Sequence, residues 1–468
     1  MRQIYNSNEK FLMGLMCKAC LWMVLLGTFG CSDFVEVDPP KNTLVAQTVF
    51  DDPSTVESAL ANLYFSLRED GMVSGNSGFT TLLGIYADEL DYYAFNGDFV
   101  QLFRHTVTPQ NAVLLGWWTQ GYQVIYAAND IIAGLEASEG LSAMEVERYK
   151  GQALFVRAYV HSLLVGVFGD VPYITTTDYV VNTNASRLET ALVYEAIVAD
   201  LEQAVALMDG ADIPVGDRVV PDADVALALL ARMALYTQQW DLAAATAGEL
   251  IAAFPLEPDL DQVFLKESRE TIWQFKPGED LINTQEANQL VIQFIPGQRF
   301  ALTPSLLDAF EVGDGRLERW TDEISDADGT LTLSYAHKYK ALFNETASLE
   351  HSIVFRSAEQ YLIRAEARAQ LGNLDGARQD LNTVRNRAGL GDVNLVGQTE
   401  LLEAIYQERR VELFAEQGLR WMDLKRTGRA TEVMAPIKPN WQDTHVLLPI
   451  PESELEINPK LLPQNPGY

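Results

Sequence analysis

The chain has 468 residues, 48% of them hydrophobic, and 65 acidic residues against 34 basic ones give a formal net charge of −31 at pH 7. This length and composition suffice for a large hydrophobic core, which excludes a disordered chain. The negative charge excludes nucleic acid and anionic lipid headgroups as partners, and it disfavours polyanionic ligands unless a local basic patch exists.

The first 30 residues have the pattern of a bacterial lipoprotein signal peptide. Basic residues precede a short apolar stretch at 21–29, and the small residue Gly30 stands directly before Cys31. The stretch is about 10 residues long, too short to span a bilayer as a helix. A plain secretory signal and an N-terminal anchor helix are the alternatives. We predict cleavage before Cys31 and lipidation of Cys31.

Cleavage there has two consequences for the mature chain. All three cysteines, Cys17, Cys20 and Cys31, lie in this segment, so the mature chain has no internal disulfide and no cysteine metal site. Its formal charge becomes −33, because three basic residues and one acidic residue are removed. We expect a lipidated tether at residues 31–41 and a single domain at 42–468.

Two long segments, 68–110 and 278–304, are rich in Gly, Asn, Gln, Asp and aromatic residues without a clear period. Loops of that length in a compact protein are usually functional or disordered, and the aromatic residues favour function. Asp88 to Asp98 is the densest cluster of acidic and aromatic residues.

Helical periodicity marks residues 149–167 and 189–208, and an internal repeat follows. Ala231 precedes Ala243 by twelve positions, and Ala365 precedes Ala377 by the same twelve. This spacing is typical of tetratricopeptide helix pairs, in which small residues let the backbones cross closely. Generic helix packing is the alternative. Asp241 and Asp375 are predicted to cap the second helices.

Short strands are predicted between the helices. Residues 271–275 alternate like a strand, and residues 329–335 do so after the turn at 326–329. Asp326 and Asp328 resemble part of a calcium loop, but Ile324 occupies the first ligand position, which favours a plain hairpin turn.

A charged run at residues 408–426 predicts a helix, a tight turn at Gly418 and a short second helix. Arginines and carboxylates alternate at spacings of three and four, and the apolar face consists of Leu413, Phe414, Trp421 and Leu424. Charges at a packing seam must be paired, so this run by itself indicates a structural network of ion pairs.

The amino-acid sequence of this run closely resembles the C-terminal signature of the SusD/RagB family. Four further blocks match the family in its order: residues 34–40 after the lipid cysteine, 151–159 followed by 168–173, 359–367 with 380–389, and 448–451 with 458–459 and 464–468. Trp118, Tyr122, Ile125 and Asn129 match its early helix.

The resemblance implies a mainly α fold, a tetratricopeptide-like helical scaffold with irregular loop and short-strand insertions. Relatives are surface lipoproteins that bind oligosaccharides outside the cell and sit as a lid on a SusC-like TonB-dependent transporter in the outer membrane. Part of the family is thought to serve peptide uptake. The matching motifs belong to the scaffold, so they imply the system and leave the sugar open.

Carbohydrate sites combine aromatic faces, which stack on the apolar faces of sugar rings, with paired donors and acceptors for the hydroxyls. Packing of the aromatic residues under a loop, and solvation of the polar ones, are the alternatives. The predicted ligand-binding residues are Asp91, Tyr92, Tyr93, Phe95, Asn96 and Asp98 in the first segment, and Asn283, Gln285, Gln293 and Arg299 in the second.

Motifs for catalysis or cofactors are lacking in the sequence. The five histidines have no zinc-type spacing, and there is no H-E-x-x-H, Walker loop or G-x-S-x-G. A glycan-active enzyme would need two carboxylates facing across a cleft, which a sequence cannot display. We therefore predict a lipid-anchored, non-catalytic oligosaccharide-binding protein without a metal or cofactor, with a peptide-binding relative and a secreted glycan-active enzyme as alternatives.

Overall fold

The computed structural model describes residues 49–69, 72–75, 77–211, 217–278 and 282–468. The predicted signal peptide, Cys31 and the predicted tether lie outside the described residues. Within the described part, Phe50–Tyr468 forms one compact unit built mainly of helices.

The α-helices of the described chain are α1 Pro53–Glu69, α2 Phe79–Tyr86, α3 Gly97–Arg104, α4 Ala112–Glu136, α5 Ala143–Phe168, α6 Tyr179–Asn182, α7 Thr190–Met208, α8 Ala223–Tyr236, α9 Trp240–Ala253, α10 Gln285–Leu290, α11 Pro304–Leu307, α12 Gly315–Trp320, α13 Ser357–Gln370, α14 Leu374–Arg387, α15 Gln398–Glu412, α16 Leu419–Arg426, α17 Ala430–Met434 and α18 Glu452–Ile457. The strands are β1 Leu90–Tyr92, β2 Thr271–Phe275, β3 Phe300–Leu302, β4 Thr321–Ser325, β5 Thr332–Ala336 and β6 Ser352–Arg356. Short 3-10 turns occupy Asp443–Val446 and Pro459–Leu461.

Helix pairs stack along the chain as the sequence predicts. Neighbouring helices pack in series from α4 to α5, α7, α8 and α9, and α13 packs against α9 and against α14. Ala231, Ala243, Ala365 and Ala377, the four alanines of the repeat, are fully buried in the contacts between these helices. Small side chains at the crossings let the helices approach closely, and the predicted tetratricopeptide-like scaffold is confirmed.

The predicted caps of the second helices are wrong. Helix α14 begins at Leu374, and the side chain of Asn373 caps it by accepting from Gly376 N at 3.0 Å. Asp375 lies inside the first turn, where it pairs with Arg378. Asp241 likewise lies inside the first turn of α9, which has no side-chain cap. Each helix begins one residue before its aspartate, too early for that side chain to cap it.

Helix α5 lies in the core of the molecule. Among the described residues, it is the one helix long and apolar enough to cross a membrane, and its most apolar window is entirely buried inside the protein. Ser142 and Glu145 form a capping box at its start. Burial explains why the helix is mainly apolar over residues 151–168, whereas its first two turns are charged and partly exposed.

Strands form three antiparallel pairs in the described chain: β1 with β3, β2 with β6, and β4 with β5. The prediction for residues 271–275 is confirmed by β2, whose Trp273 is fully buried and packs edge-on against Phe155 at 5.1 Å between ring centroids. Strands β4 and β5 flank the predicted turn, where Asp326 accepts from Thr330 N at 2.7 Å. That turn is a hairpin turn, as the sequence predicts.

The run at 408–426 adopts the predicted helix, turn and second helix. Gly418, at a φ of 70°, makes the turn, and the predicted apolar face of the run is buried. Arg409 pairs with Asp423 within the run at 2.7 Å. The other ion pairs reach distant segments, among them Glu412 with Arg356 of β6 at 2.6 Å. The run therefore fastens the C-terminal helices to the rest of the molecule.

Candidate functional site

The two segments predicted separately as ligand-binding loops meet in the structure. Strand β1 of the first pairs with β3 of the second, placing Asp91 opposite Ala301 and Tyr92 opposite Phe300. Just beyond the strand, Tyr93 N donates to Arg299 O at 2.9 Å. Since these residues are about 200 positions apart, their association is a product of the tertiary fold.

The strand period divides the first segment into an inner and an outer face. Successive side chains of a strand point to opposite faces, so Tyr92 faces away from Asp91 and Tyr93. Tyr92 is 9% exposed and packs against Phe99 and Phe300, with ring centroids 5.8 and 5.5 Å away. Its hydroxyl accepts from Asn96 N at 3.2 Å. Tyr92 therefore supports the loop from inside.

Three aromatic side chains remain exposed on these two segments, and we call them the aromatic rim. Tyr93 is 38% exposed, Phe95 98% and Phe294 62%. The ring of Phe294 covers Gly297, where an added Cβ would lie 2.1 Å from the ring. Exposed aromatic rings on these two segments offer faces on which an apolar surface can stack.

Several predicted polar residues serve the scaffold. Asn96 caps α3 by accepting from Asp98 N at 3.0 Å and from Phe99 N at 3.2 Å. Asn283 is buried, where it donates to Ala347 O at 2.8 Å and accepts from two backbone amides of the 349–350 segment at 2.7 and 3.0 Å. Its carboxamide is thus buried and hydrogen-bonded within the protein.

The remaining predicted polar residues are more accessible. Gln293 and Arg299 are exposed, whereas Asp98 and Gln285 are partly buried. Gln285 lies at the start of α10 and donates to Glu69 Oε2 at 3.5 Å. The guanidinium of Arg299 lies 5.7 Å from the centroid of the Phe300 ring. Arg299, Gln293 and Asp98 are therefore available to a ligand at the aromatic rim.

A cavity of about 570 Å³ opens beside β1, and we call it the β1 cavity. It brings together the first segment, the end of α3, the start of α11 and a C-terminal loop. Its lining residues are Ala87, Asp88, Asp91, Phe103, Arg104, Thr303, Pro304, Ser305, Ile437, Lys438, Pro439 and Asn440.

The sequence does not predict that residues 437–440, near the C-terminus, line the β1 cavity. They follow α17 and carry neither a helical nor a strand period that would single them out. Their one distinguishing signal is Lys438 directly before Pro439. The Lys438 side chain is held in place because its ammonium donates to Ile85 O at 2.8 Å and to Phe103 O at 3.2 Å.

Asp88 at the base of the β1 cavity is held by two arginines. Its carboxylate accepts from Arg420 at 2.7 and 2.8 Å and from Arg410 at 2.9 Å, while the residue is only 2% exposed. Burial acts to raise the pKa of Asp88, but the hydrogen bonds and charges of Arg420 and Arg410 outweigh it and leave that pKa lowered. Asp88 is therefore a structural carboxylate that remains ionised.

Asp91 and Lys438 are the two charged residues of the β1 cavity whose pKa values burial shifts toward neutrality. Burial raises the pKa of Asp91, and the positive charge of Lys438 partly offsets this. Burial lowers the pKa of Lys438 to about 8. Burial and the charge of Asp91 also raise the pKa of Tyr93. Asp91 of the cavity and Tyr93 of the aromatic rim are two positions apart in the chain and therefore point to the same side of the strand.

The carboxylates of this region are poorly arranged for hydrolysis. A glycosidase needs two accessible carboxyl groups across the substrate. Asp88 is bound by two guanidinium groups, and Glu89, whose pKa burial raises to about 8, is 1% exposed and accepts from Ala415 N. Within the described residues, no group of three or more His, Cys, Asp or Glu side chains could hold a metal ion.

A second cavity, of about 380 Å³, lies between α4, α6 and α18 and serves as a comparison. Tyr126 and Tyr179 are exposed at its edge, at 48% and 77%, and Glu454 is its carboxylate. Burial raises the pKa of Glu454, and a hydrogen bond from Trp118 opposes this shift. This cavity is lined by no cationic side chain, which distinguishes it from the β1 cavity.

Two family models match the chain. The model described as the SusD family matches residues 321–468, and the model described as starch-binding associating with outer membrane matches residues 33–235. Among curated proteins, the chain is 28% identical to SusD-like protein P2 of Formosa agariphila, covering 95% of this chain and 98% of that protein. It is 24% identical to SusD-like protein P25 of the same organism over 95% and 98% of the two chains.

Solved structures share the fold. A SusD superfamily protein from Bacteroides vulgatus superposes with a TM-score of 0.78 at 22% identity, covering 89% of this chain and 99% of that one. A laminarin-binding SusD-like protein superposes with a TM-score of 0.75 at 22% identity, again over 89% and 99%. At these identities the superpositions establish the architecture and do not identify the ligand-binding residues.

Proposed function

The chain belongs to the SusD/RagB family, and from that premise we propose that it is a cell-surface, glycan-binding lipoprotein. It captures an oligosaccharide at the aromatic rim and the β1 cavity and delivers it to a SusC-like TonB-dependent transporter of the outer membrane. A glycan as the ligand class is supported by the match to the family model described as starch-binding and by the similarity in fold to a laminarin-binding protein.

The observation that carries this proposal is the aromatic rim beside a polar cavity. Sugar rings present apolar CH faces and polar edges, so they need flat aromatic surfaces next to donors and acceptors. Tyr93, Phe95 and Phe294 offer the surfaces, while Asp91 and Arg299 offer an acceptor and a donor on the same segments.

Binding without catalysis is the second part of the proposal. It is supported by Asp88, whose carboxylate is neutralised by Arg410 and Arg420 and cannot act as a nucleophile, and by Glu89, which is sealed from solvent. The ligand then leaves unchanged, and transport depends on affinity and geometry alone.

Attachment to the outer membrane through Cys31 is the third part. The protein is too acidic to be held by anionic headgroups, so a covalent lipid is the anchor that the sequence offers. Radiolabelled palmitate should enter the wild-type protein and be absent from Cys31→Ala, with Cys20→Ala as the matched control. Equal labelling of wild type and Cys31→Ala would reject this anchor.

Incubation of the purified mature protein with panels of oligosaccharides and of peptides tests the binding function. We expect retention of at least one glycan without the appearance of new reducing ends. New reducing ends would establish an enzyme instead, and retention of peptides alone would establish a peptide-binding member of the family.

A transporter partner is tested by co-purification. Expressed together with a SusC-like transporter from the same organism, the lipoprotein should co-purify with that transporter from detergent-solubilised outer membranes. Purification of the two as separate species, with an unrelated TonB-dependent transporter as control, would reject the delivery step.

A further inference from the structure

Arginines of the described chain are almost all committed to carboxylates. Eighteen take part in ion pairs with Asp or Glu. Arg187 and Arg269 instead donate to backbone carbonyls. Within the described residues, only Arg104 and Arg299 have guanidinium groups without an ion pair or a hydrogen bond to another residue. Both are exposed.

Each of these two arginines belongs to one of the two segments that form the candidate site. Arg104 is the last residue of α3 and lines the β1 cavity. Arg299 directly precedes β3, where its carbonyl accepts from Tyr93 of the aromatic rim, and its guanidinium lies near the face of Phe300. A protein with nearly twice as many acidic as basic residues thus leaves these two strong donors unused, one in the cavity and one at the rim.

The lining of the β1 cavity carries no net negative charge, in contrast to the whole protein. Its cations are Arg104 and Lys438, and its carboxylates are Asp88 and Asp91. The charge of Asp88 is already neutralised by Arg410 and Arg420.

The neighbouring acidic groups add little negative charge to the β1 cavity. Glu89 is mostly uncharged at pH 7, because burial raises its pKa to about 8. Asp98 lies six residues before Arg104 on α3, about 9 Å away along the helix axis. The rest of the acidic surface is screened over about 8 Å at physiological ionic strength. The candidate site therefore lacks the net negative charge that repels anions from most of the protein, and it offers two unpaired guanidinium groups to an anionic ligand.

We propose that the glycan taken by this site is anionic, carrying uronate carboxylates or sulfate esters that Arg104 and Arg299 contact. This inference rests on the proposed glycan-binding function and names its substrate class. Guanidinium groups match both anions, because their planar fork can donate two parallel hydrogen bonds to carboxylate or sulfate oxygens. The aromatic rim stacks on the sugar rings while the arginines select their charge.

The experiment measures the affinity of the mature protein for oligosaccharides of matched length by isothermal titration calorimetry. A neutral β-glucan series, an oligouronate series and a sulfated galactan series form the three arms. We expect at least one anionic series to bind about tenfold or more tightly than the neutral one, and its affinity to fall as salt rises from about 50 to about 200 mM. The anionic series that binds more tightly identifies the uronate or the sulfate as the recognised group.

Arg104→Gln and Arg299→Gln should each weaken binding of that anionic series by about tenfold, the loss of one charge-assisted contact. Arg319→Gln is the matched control, since Arg319 is exposed and pairs with Asp261 on other elements. All three variants should melt at the wild-type temperature.

The possible failures separate the two proposals. Tight, salt-independent binding of the neutral series, unchanged in Arg104→Gln and Arg299→Gln, would overturn the anionic substrate class and leave glycan binding in place. Absence of binding in all three arms would overturn both.

Discussion

Asp88 joins the candidate site to the C-terminal helix pair, and replacing its charge is expected to weaken the whole protein. In Asp88→Asn the side chain keeps its size, but the guanidinium groups of Arg410 and Arg420 lose their counter-charge. Removing one partner of a buried ion pair costs about 3–5 kcal/mol. Because the two arginine side chains are 14% and 12% exposed and water can reach them, we expect a loss of about 3 kcal/mol of unfolding free energy.

The sign of the pH dependence follows from the lowered pKa of Asp88. The folded state holds this proton less tightly than the unfolded chain, whose pKa is near 3.8. The carboxylate therefore stabilises the protein above about pH 3.8 and loses that contribution as the pH falls through the lower folded pKa. The difference between wild type and Asp88→Asn should be full at pH 7 and should shrink below pH 3.8.

Urea denaturation at pH 7 followed by circular dichroism is the assay. Asp261→Asn is the control, since Asp261 pairs with Arg319 and Lys340 at the surface and should cost no more than about 1 kcal/mol. A loss below 1 kcal/mol in Asp88→Asn, or one equal to that of the control, would refute the structural role assigned to this carboxylate.

Three further substitutions test other parts of the structure. Gly418→Ala should lower the free energy of unfolding in urea by about 2–3 kcal/mol, because an L-residue is strained at a φ of 70° and its Cβ would lie 2.5 Å from Leu83 Cδ1. An unchanged free energy of unfolding would contradict the turn. Burial raises the pKa of Glu89 to about 8, so wild type should lose stability as the pH rises from about 4.5 to 8. Thermal melts should then show Glu89→Gln more stable than wild type at pH 9 and equal to it at pH 4, whereas parallel pH profiles would contradict the burial. Asn283→Ala should lower the free energy of unfolding in urea by about 2–3 kcal/mol, because it removes buried hydrogen bonds, and it should leave glycan affinity unchanged. Weaker glycan binding by a folded Asn283→Ala variant would show instead that Asn283 contacts the ligand.

Much of the scaffold can be predicted from the sequence because its signals are local. The twelve-residue spacing between Ala231 and Ala243 predicts a close helix crossing, and both side chains are fully buried there. Helix ends are less predictable: Asn373 and Asp375 are both good capping residues, and the register of the helix, set by its packing, selects Asn373.

The candidate site is only partly predictable, because it is assembled from distant segments. The composition of the first segment points to Tyr93 and Phe95, but the alternation that turns Tyr92 inward depends on its pairing with Phe300. Lys438 enters the β1 cavity through tertiary packing, which its position directly before Pro439 does not reveal. Likewise, the sequence cannot reveal that the guanidinium groups of Arg104 and Arg299 are unpaired, because this depends on which carboxylates the other arginines bind.

Ligand affinity in an aromatic-rim variant tests the central claim most directly. The triple variant Tyr93→Ala, Phe95→Ala, Phe294→Ala removes three exposed rings, and each ring face that stacks on a sugar is worth about 1–2 kcal/mol. Calorimetry with the glycan that binds wild type should show an affinity loss of at least about 100-fold with little change in melting temperature. Tyr126→Ala, Tyr179→Ala at the second cavity should bind as wild type does. Wild-type affinity in the triple variant, or loss of binding in the control, would contradict the placement of the glycan site.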